Sequence, residues 1–215
     1  MIVDERYTTY LNSLYKELSP VLSEIQKEAL DSYVPIIRPE TVNLLTLLVR
    51  MNKPKRILEV GAAVGFSANV MAEAADEDTT ITTIENYEPR IPIAKANFAR
   101  TGRENQITLL EGDAMDILPT LEGPFDFIFM DAAKGQYINF WPEIKRLIAD
   151  EGVIVTDNVL QDGDIIQSRY AITRRNRTIH KRMRDYLYEL THDEDFTTTI
   201  LPLGDGVSIS VKGKK

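Results

Sequence analysis

Four side chains in the second half of the chain could do chemistry together: Asp131, Lys134, Asp157 and Asn158. Asp131 follows the apolar run Phe125-Asp-Phe-Ile-Phe-Met130, and Asp157-Asn158 follows Gly152-Val-Ile-Val-Thr156. Two carboxylates and an amide make three hard oxygen ligands. Such a set suits Mg²⁺, Ca²⁺ or Mn²⁺, completed by water or substrate oxygens, and does not suit zinc; magnesium is the expected ion. An Asp-Asn pair can instead cap the loop that follows it, through side-chain to backbone bonds. Lys134 lies three residues past Asp131. A lysine beside a divalent cation holds its proton less tightly, so Lys134 could be a general base toward a hydroxyl, working next to Asp131. A bound cation could equally take most of that load by stabilising the oxyanion, and the bland alternative for Lys134 is a solvated loop residue.

A second group lies upstream in Arg56-Ile-Leu-Glu-Val-Gly-Ala-Ala-Val-Gly-Phe-Ser67. An apolar strand ends there in an acid and two glycines, and the free amides of the helix that follows could donate to a ligand. The middle glycine of G-x-G-x-x-G is missing, so a dinucleotide pyrophosphate is not expected. Glu59 would repel a diphosphate and attract a ligand carrying an ammonium and a sulfonium, while Gly61 leaves room for that ligand. Glu85, 24 residues after Gly61, closes a β-branched run, where a carboxylate can accept from a ribose diol. Asp113 after Ile107-Thr-Leu-Leu110 could accept from an adenine amino group with Ala114 leaving space for the ring, although a Gly-Asp pair is also a common turn.

The elements that must position these residues alternate. Strands are expected near 57–60, 80–84, 107–110, 125–130 and 152–156, with helices at 66–75, 89–100 and 137–148 between them. That order predicts a doubly wound α/β sheet, mostly parallel, in which the carboxyl ends of the strands form one ligand crevice. A long amphipathic helix carrying Ile172, Ile179, Met183, Tyr186, Leu187 and Leu190 leads to an edge hairpin, 196–201 with 207–211, joined through Pro202-Leu-Gly-Asp-Gly206. Residues 1–52 read as N-terminal helices, interrupted at Pro20 and irregular at Val34-Pro-Ile-Ile-Arg-Pro39, that cover the crevice or make a subunit contact. The whole, 1–215, is expected to be one domain with its Rossmann-like core over 53–215.

Composition narrows the function classes. There is no run of about 18 apolar residues and no apolar signal core, so neither membrane span nor secretion signal is expected. The chain has no cysteine, which rules out disulfides and thiolate metal sites and permits a cytoplasmic location. Net charge is −8, yet Arg169 to Arg184 holds Arg169, Arg174, Arg175, Arg177, Lys181, Arg182 and Arg184 and no acid. Such segregation gives a positive surface on an acidic body, suited to a polyanion or else to a solvated helix face or subunit contact. His180 and His192 are expected at the surface, and Trp141 in the core or at the crevice rim.

Taken together, Glu59 to Ser67, Glu85, Gly112 to Ala114, Asp131-Ala-Ala-Lys-Gly-Gln-Tyr137 and Thr156-Asp-Asn158 resemble the metal-dependent, catechol O-methyltransferase-like members of the class I S-adenosylmethionine (SAM) methyltransferases, from Val34 onward. The resemblance implies SAM contacts from Ile37, Ser67, Glu85, Asp113, Ala114 and Asp131. It also implies Mg²⁺ on Asp131, Asp157 and Asn158, and Lys134 as the catalytic lysine. The small Ala132-Ala133 pair departs from the bulkier residues, including a tryptophan, that catechol enzymes place against their substrate.

Within this family Asp131 to Tyr137, Thr156 to Leu160, the arginine-rich helix and Pro202 to Gly206 are similar to the bacterial tRNA 5-hydroxyuridine methyltransferases. That likeness implies methylation of 5-hydroxyuridine at position 34 of the anticodon to 5-methoxyuridine. Arg174, Arg175, Arg177, Lys181 and Arg182 would meet the phosphates of the anticodon arm, Tyr170 could stack a splayed base, and the enzyme would work as a homodimer. O-methylation of a small catechol-like or acyl-CoA phenol is the alternative, and an RNA-binding protein with a lapsed catalytic site is a more distant one.

Overall fold

The computed structural model describes residues 2–214, so the outermost ends of the expected domain lie outside it. Seven strands form one sheet: β1 (Arg56–Val60), β2 (Thr80–Glu85), β3 (Ile107–Glu111), β4 (Phe125–Met130), β5 (Ile148–Thr156), β6 (Phe196–Leu201) and β7 (Val207–Lys212). Their order is β3-β2-β1-β4-β5-β7-β6. The first five run parallel, and β7 pairs antiparallel with both β5 and β6. This is the mostly parallel, doubly wound sheet with an antiparallel edge hairpin that the alternation predicts. From β1 the chain steps outward to β2 and β3, then crosses back to β4. The switch point therefore lies between β1 and β4, where Gly61 and Asp131 leave the sheet.

The two faces of the sheet are covered by separate cores, divided by the period of two along each strand. Ile57, Phe127 and Phe129 join one core with α2 (Pro20–Asp31), α3 (Pro39–Asn52), α4 (Phe66–Ala74) and α5 (Ile91–Arg100). Leu58, Val60, Ile128 and Met130 join the other, with the short α6 (Ala114–Ile117), α7 (Tyr137–Leu147) and α8 (Arg177–His192). Central strands buried on both faces read as near-continuous apolar runs, and β4 departs from that only at Asp126. Its carboxylate caps the start of β1 by accepting from the amides of Lys55 and Arg56, at 2.8 and 2.9 Å.

Three boundaries differ from the sequence expectation. α1 (Glu5–Leu14) stops before Leu18 because Pro20, whose fixed φ suits a first helical turn, starts α2 instead. β5 begins at Ile148, four residues early. It carries a bulge, with Phe125 opposite Ile148 but Phe127 opposite Val153, and Glu151 takes up the extra length at φ +62°. The arginine-rich helix starts only at Arg177: Arg174–Asn176 is one 3₁₀ turn, so Ile172 and Arg169 precede the helix. Among the described residues no helix is long and apolar enough to cross a membrane.

Candidate active site

The carboxyl ends of β1 to β5 open into one cavity of about 690 Å³. Glu85, Asn86, Tyr87, Arg90, Gly112, Asp113 and Ala114 form its far wall; Gly61, Ala63, Asp131 to Lys134, Asp157 and Asn158 form the centre; Pro35 to Arg38 and Asp205 form the near rim.

Glu85 is buried and held by three backbone amides. Ala63 N–H donates to Oε2 at 2.7 Å, while Asn86 and Tyr87 donate to Oε1 at 3.0 and 2.8 Å. A carboxylate so fixed keeps lone pairs aimed at the cavity, as recognition of a diol requires. Asp113 combines both expected uses. It caps α6 by accepting from the Met115 amide at 2.8 Å, and it lines the cavity.

Gly61 takes φ +106°, and a Cβ there would lie 2.1 Å from the carbonyl oxygen of Asp131. The missing side chain thus lets the β1 and β4 loops touch. The room it leaves is taken by Asp131, while Gly61 itself also lines the cavity.

Glu59 requires a correction. It lies directly opposite Thr83 in the β1–β2 register and is fully buried, its Oε2 accepting a short hydrogen bond from the Thr83 hydroxyl. It does not line the cavity. Burial pushes its carboxyl up to about 7, against the hydroxyls of Ser67 and Thr83, which favour the charged form. Ser67, in the first turn of α4, is likewise buried behind the wall beside Glu59 and outside the cavity lining. Glu59 is the penultimate residue of β1 and shares a sheet face with Ile57, which is packed in the core, so the expected direct ligand contact is not where the structure puts this side chain.

The expected ligand set does converge. Asp131, Lys134, Asp157 and Asn158 all line the cavity, as do Ile37 and Ala114. Burial raises the Asp131 carboxyl to about 6, the charge of Glu59 adding to it and Lys134 opposing it. Burial raises Asp157 to about 7, and repulsion from Asp131 adds to that. Asn158 sits at φ +60°, a left-handed position that asparagine tolerates, and its amide donates to Asp157 Oδ1 at 2.7 Å. Loop capping and cavity lining therefore coexist in this pair too.

Among the described residues no three His, Cys, Asp or Glu side chains are grouped to hold a metal; the set is two carboxylates and an amide. It fits a hard divalent cation, because the buried Asp157 and the half-buried Asp131, which repel each other, are relieved by a positive charge between them.

Several cavity residues carried no recognisable signal in the sequence. Arg38 forms a short ion pair with Asp205 and a second with Asp162 at 3.3 Å, and Lys134 Nζ lies 3.7 Å from Asp205 Oδ2. Asp205 had read only as the turn of a hairpin. Arg38 sits between prolines in a segment with no periodicity to interpret.

Outside the cavity, His180 is buried in α8 rather than exposed, because it falls on the apolar stripe with Met183, Tyr186 and Leu190. His192 is exposed, and its ring pairs with the Tyr188 carbonyl. Trp141 packs in the core, its ring against Tyr186 and Phe196. Of the five expected nucleic-acid contacts, Arg174 and Arg175 are exposed. Arg177 and Arg182 are half-buried and donate to the carbonyls of Ile172 and Gly135 at 3.1 and 3.2 Å, and Lys181 pairs with Asp185.

The family model described as O-methyltransferase matches residues 12–213. The chain belongs to the O-methyltransferase family. This O-methyltransferase is 36% identical over 135 residues to the catechol O-methyltransferase of Niastella koreensis, covering 60% of this chain and 61% of that protein. It is 31% identical over 179 residues to the caffeoyl-CoA O-methyltransferase of Medicago sativa, covering 77% and 70%. Among solved structures, TomG from Streptomyces achromogenes, an O-methyltransferase crystallised with SAM, is 26% identical over 96% of this chain and 95% of that one, with a TM-score of 0.85. A Staphylococcus aureus structure, assigned provisionally to caffeoyl-CoA O-methylation, is 33% identical over 97% and 98%, with a TM-score of 0.86. The O-methyltransferase is thus a class I, SAM-dependent member, and the two curated relatives are named for catechol and for caffeoyl-CoA.

Proposed function

We propose that this O-methyltransferase methylates a hydroxyl whose neighbouring atom carries a second oxygen, with Asp131, Asp157 and Asn158 holding Mg²⁺. The observation that carries the reading is the meeting of those three side chains and Lys134 in the cavity whose far wall is Glu85. SAM, when bound, supplies an electrophilic methyl group on a sulfonium, and the cation supplies stabilisation of a developing oxyanion. Glu85 and Asp113 orient the nucleoside end, and Asp131 and Asp157 present their oxygens at the centre. Lys134, in its neutral amine form, would take the hydroxyl proton at Nζ, with Asp205 restraining it from the rim. Positioning and charge account for the rate.

Two acceptor classes present such a pair of oxygens. The names of the relatives support a small phenol of the catechol or caffeoyl-CoA type. The second reading is the 5-hydroxyuridine of tRNA position 34, whose hydroxyl stands next to the O4 carbonyl, and its support is the basic tract. The exposed Arg174 and Arg175 precede a helix that Arg182 ties to Gly135, one residue from Lys134.

The deciding experiment offers labelled SAM with catechol, caffeoyl-CoA, 5-hydroxyuridine-containing tRNA and unmodified tRNA, each with and without EDTA. Transfer that persists in EDTA would sink the metal reading, and the preferred acceptor chooses the class. A homodimer through the N-terminal helices is part of the proposal. α1 buries none of its residues and leaves Tyr7, Tyr10, Leu11 and Leu14 exposed, and a monomer mass by sedimentation would exclude it.

A further inference from the structure

The two loops that carry the acids leave adjacent strands, and their backbone pairing ends with Asp157 N–H donating to the Met130 carbonyl at 3.0 Å. Past that point no backbone hydrogen bond joins the two loops among the described residues. One side chain makes the next connection. Tyr137, the first residue of α7, turns its hydroxyl back between them: Ala132 N–H donates to it at 3.2 Å, and its one proton is shared between the Ala132 and Asp157 carbonyls, 3.2 and 3.3 Å away.

The ring is fully buried and edge-on to Tyr186 at 5.7 Å, while the Tyr186 hydroxyl is 2.8 Å from Thr156 Oγ1, one residue before Asp157. The hydroxyl of Tyr137 is therefore anchored on a helix, held rigidly, and bonded to the backbone of both acid-bearing loops.

We propose that Tyr137 is a positioning residue for the metal site: its hydroxyl clasps the β4 and β5 loops so that Asp131 and Asp157 stand at the separation one cation needs. The inference rests on the metal reading above. It assigns Tyr137 no contact with substrate, SAM or metal. Without the hydroxyl the backbones of Ala132 and Asp157 lose their shared partner and the loops separate, while the far wall at Glu85 and Asp113 is untouched.

The test is Mn²⁺ affinity, read by the paramagnetic resonance of free Mn²⁺, in the parent, Tyr137→Phe and Tyr186→Phe. Removing an outer partner of metal ligands weakens binding about 10- to 100-fold, and that loss is expected for Y137F. SAM affinity by calorimetry should stay near that of the parent. Y186F deletes a neighbouring buried hydroxyl that touches neither Ala132 nor Asp157, and should leave Mn²⁺ affinity within about twofold.

Equal Mn²⁺ binding by the parent and Y137F overturns the clasp alone, as does an equal loss in both variants, which would be general loosening. A parent that binds no Mn²⁺ overturns the metal reading and the clasp with it. Should Y137F not fold, amide exchange in the parent decides. Protection of the Ala132 N–H, deepened by Mn²⁺, supports the clasp, and exchange at the rate of an open loop overturns it.

Discussion

A lysine within reach of two raised carboxylates has a narrow task, and its loss should show in turnover rather than in binding. Lys134→Met removes the proton acceptor while keeping the aliphatic stem. We expect kcat to fall by about 10²- to 10⁴-fold, the usual worth of a positioned acid or base, with SAM affinity by calorimetry unchanged. An activity loss confined to KM would assign Lys134 to acceptor binding instead. Glu59 yields a prediction of another kind, because burial lifts its carboxyl from 4.5 to about 7. A raised carboxyl binds more protons when folded than when unfolded, so its stability contribution is complete below pH 4.5 and is lost as pH rises through 7. That loss amounts to about 3 kcal/mol. Glu59→Gln cannot ionise, so its melting temperature should decline less between pH 4.5 and 8 than the parent's. Asp131 and Asp157 are raised as well, so the slope is reduced and not abolished. Superimposable profiles would show that Glu59 does not carry this penalty.

Helix α1 is the least committed element, since it adds no residue to either core. Deleting residues 2–14 should lower the melting temperature of the remaining monomer by no more than a few degrees, because burial supplies most of a helix's stability. A collapse of the fold would mean that α1 holds α3 far more firmly than its burial indicates. The same distinction separates what could be read in the sequence from what could not. The strands at 57–60 and 125–130 were legible because strands covered on both faces must be almost wholly apolar. Asp131, Asp157 and Asn158 were legible because acids at the ends of such strands have one crevice to enter. The β5 bulge was hidden, since Ala149 to Glu151 carry no strand pattern. The contribution of Arg38 and Asp205 was hidden because they meet across long stretches of chain, and periodicity reports only on neighbours in sequence. Glu59 misled for a related reason: its partner, Thr83, became visible only once the register was known.

At the scale of the whole molecule, an acidic protein carries seven of its 25 basic residues, with no acid among them, between Arg169 and Arg184. If that place meets the anticodon arm, tRNA affinity should fall steeply with salt, and Arg174→Ala with Arg175→Ala should lower the slope of log K against log salt by about one to two without changing SAM binding. A slope equal to the parent's would leave this surface without a role in tRNA binding and favour the phenolic acceptor. The contact of Gly61 with the Asp131 carbonyl has a different reach. Nothing bulkier than a hydrogen atom separates the Gly61 loop from the Asp131 loop, and on the proposed function these are the loops beside the methyl donor and the cation. Donor and cation should bind cooperatively, each changing the affinity of the other by one common factor, as reciprocity demands. Titrating each ligand in the presence and absence of its companion measures that factor from both sides, and a ratio of one would mean that the two loops, though touching, act independently.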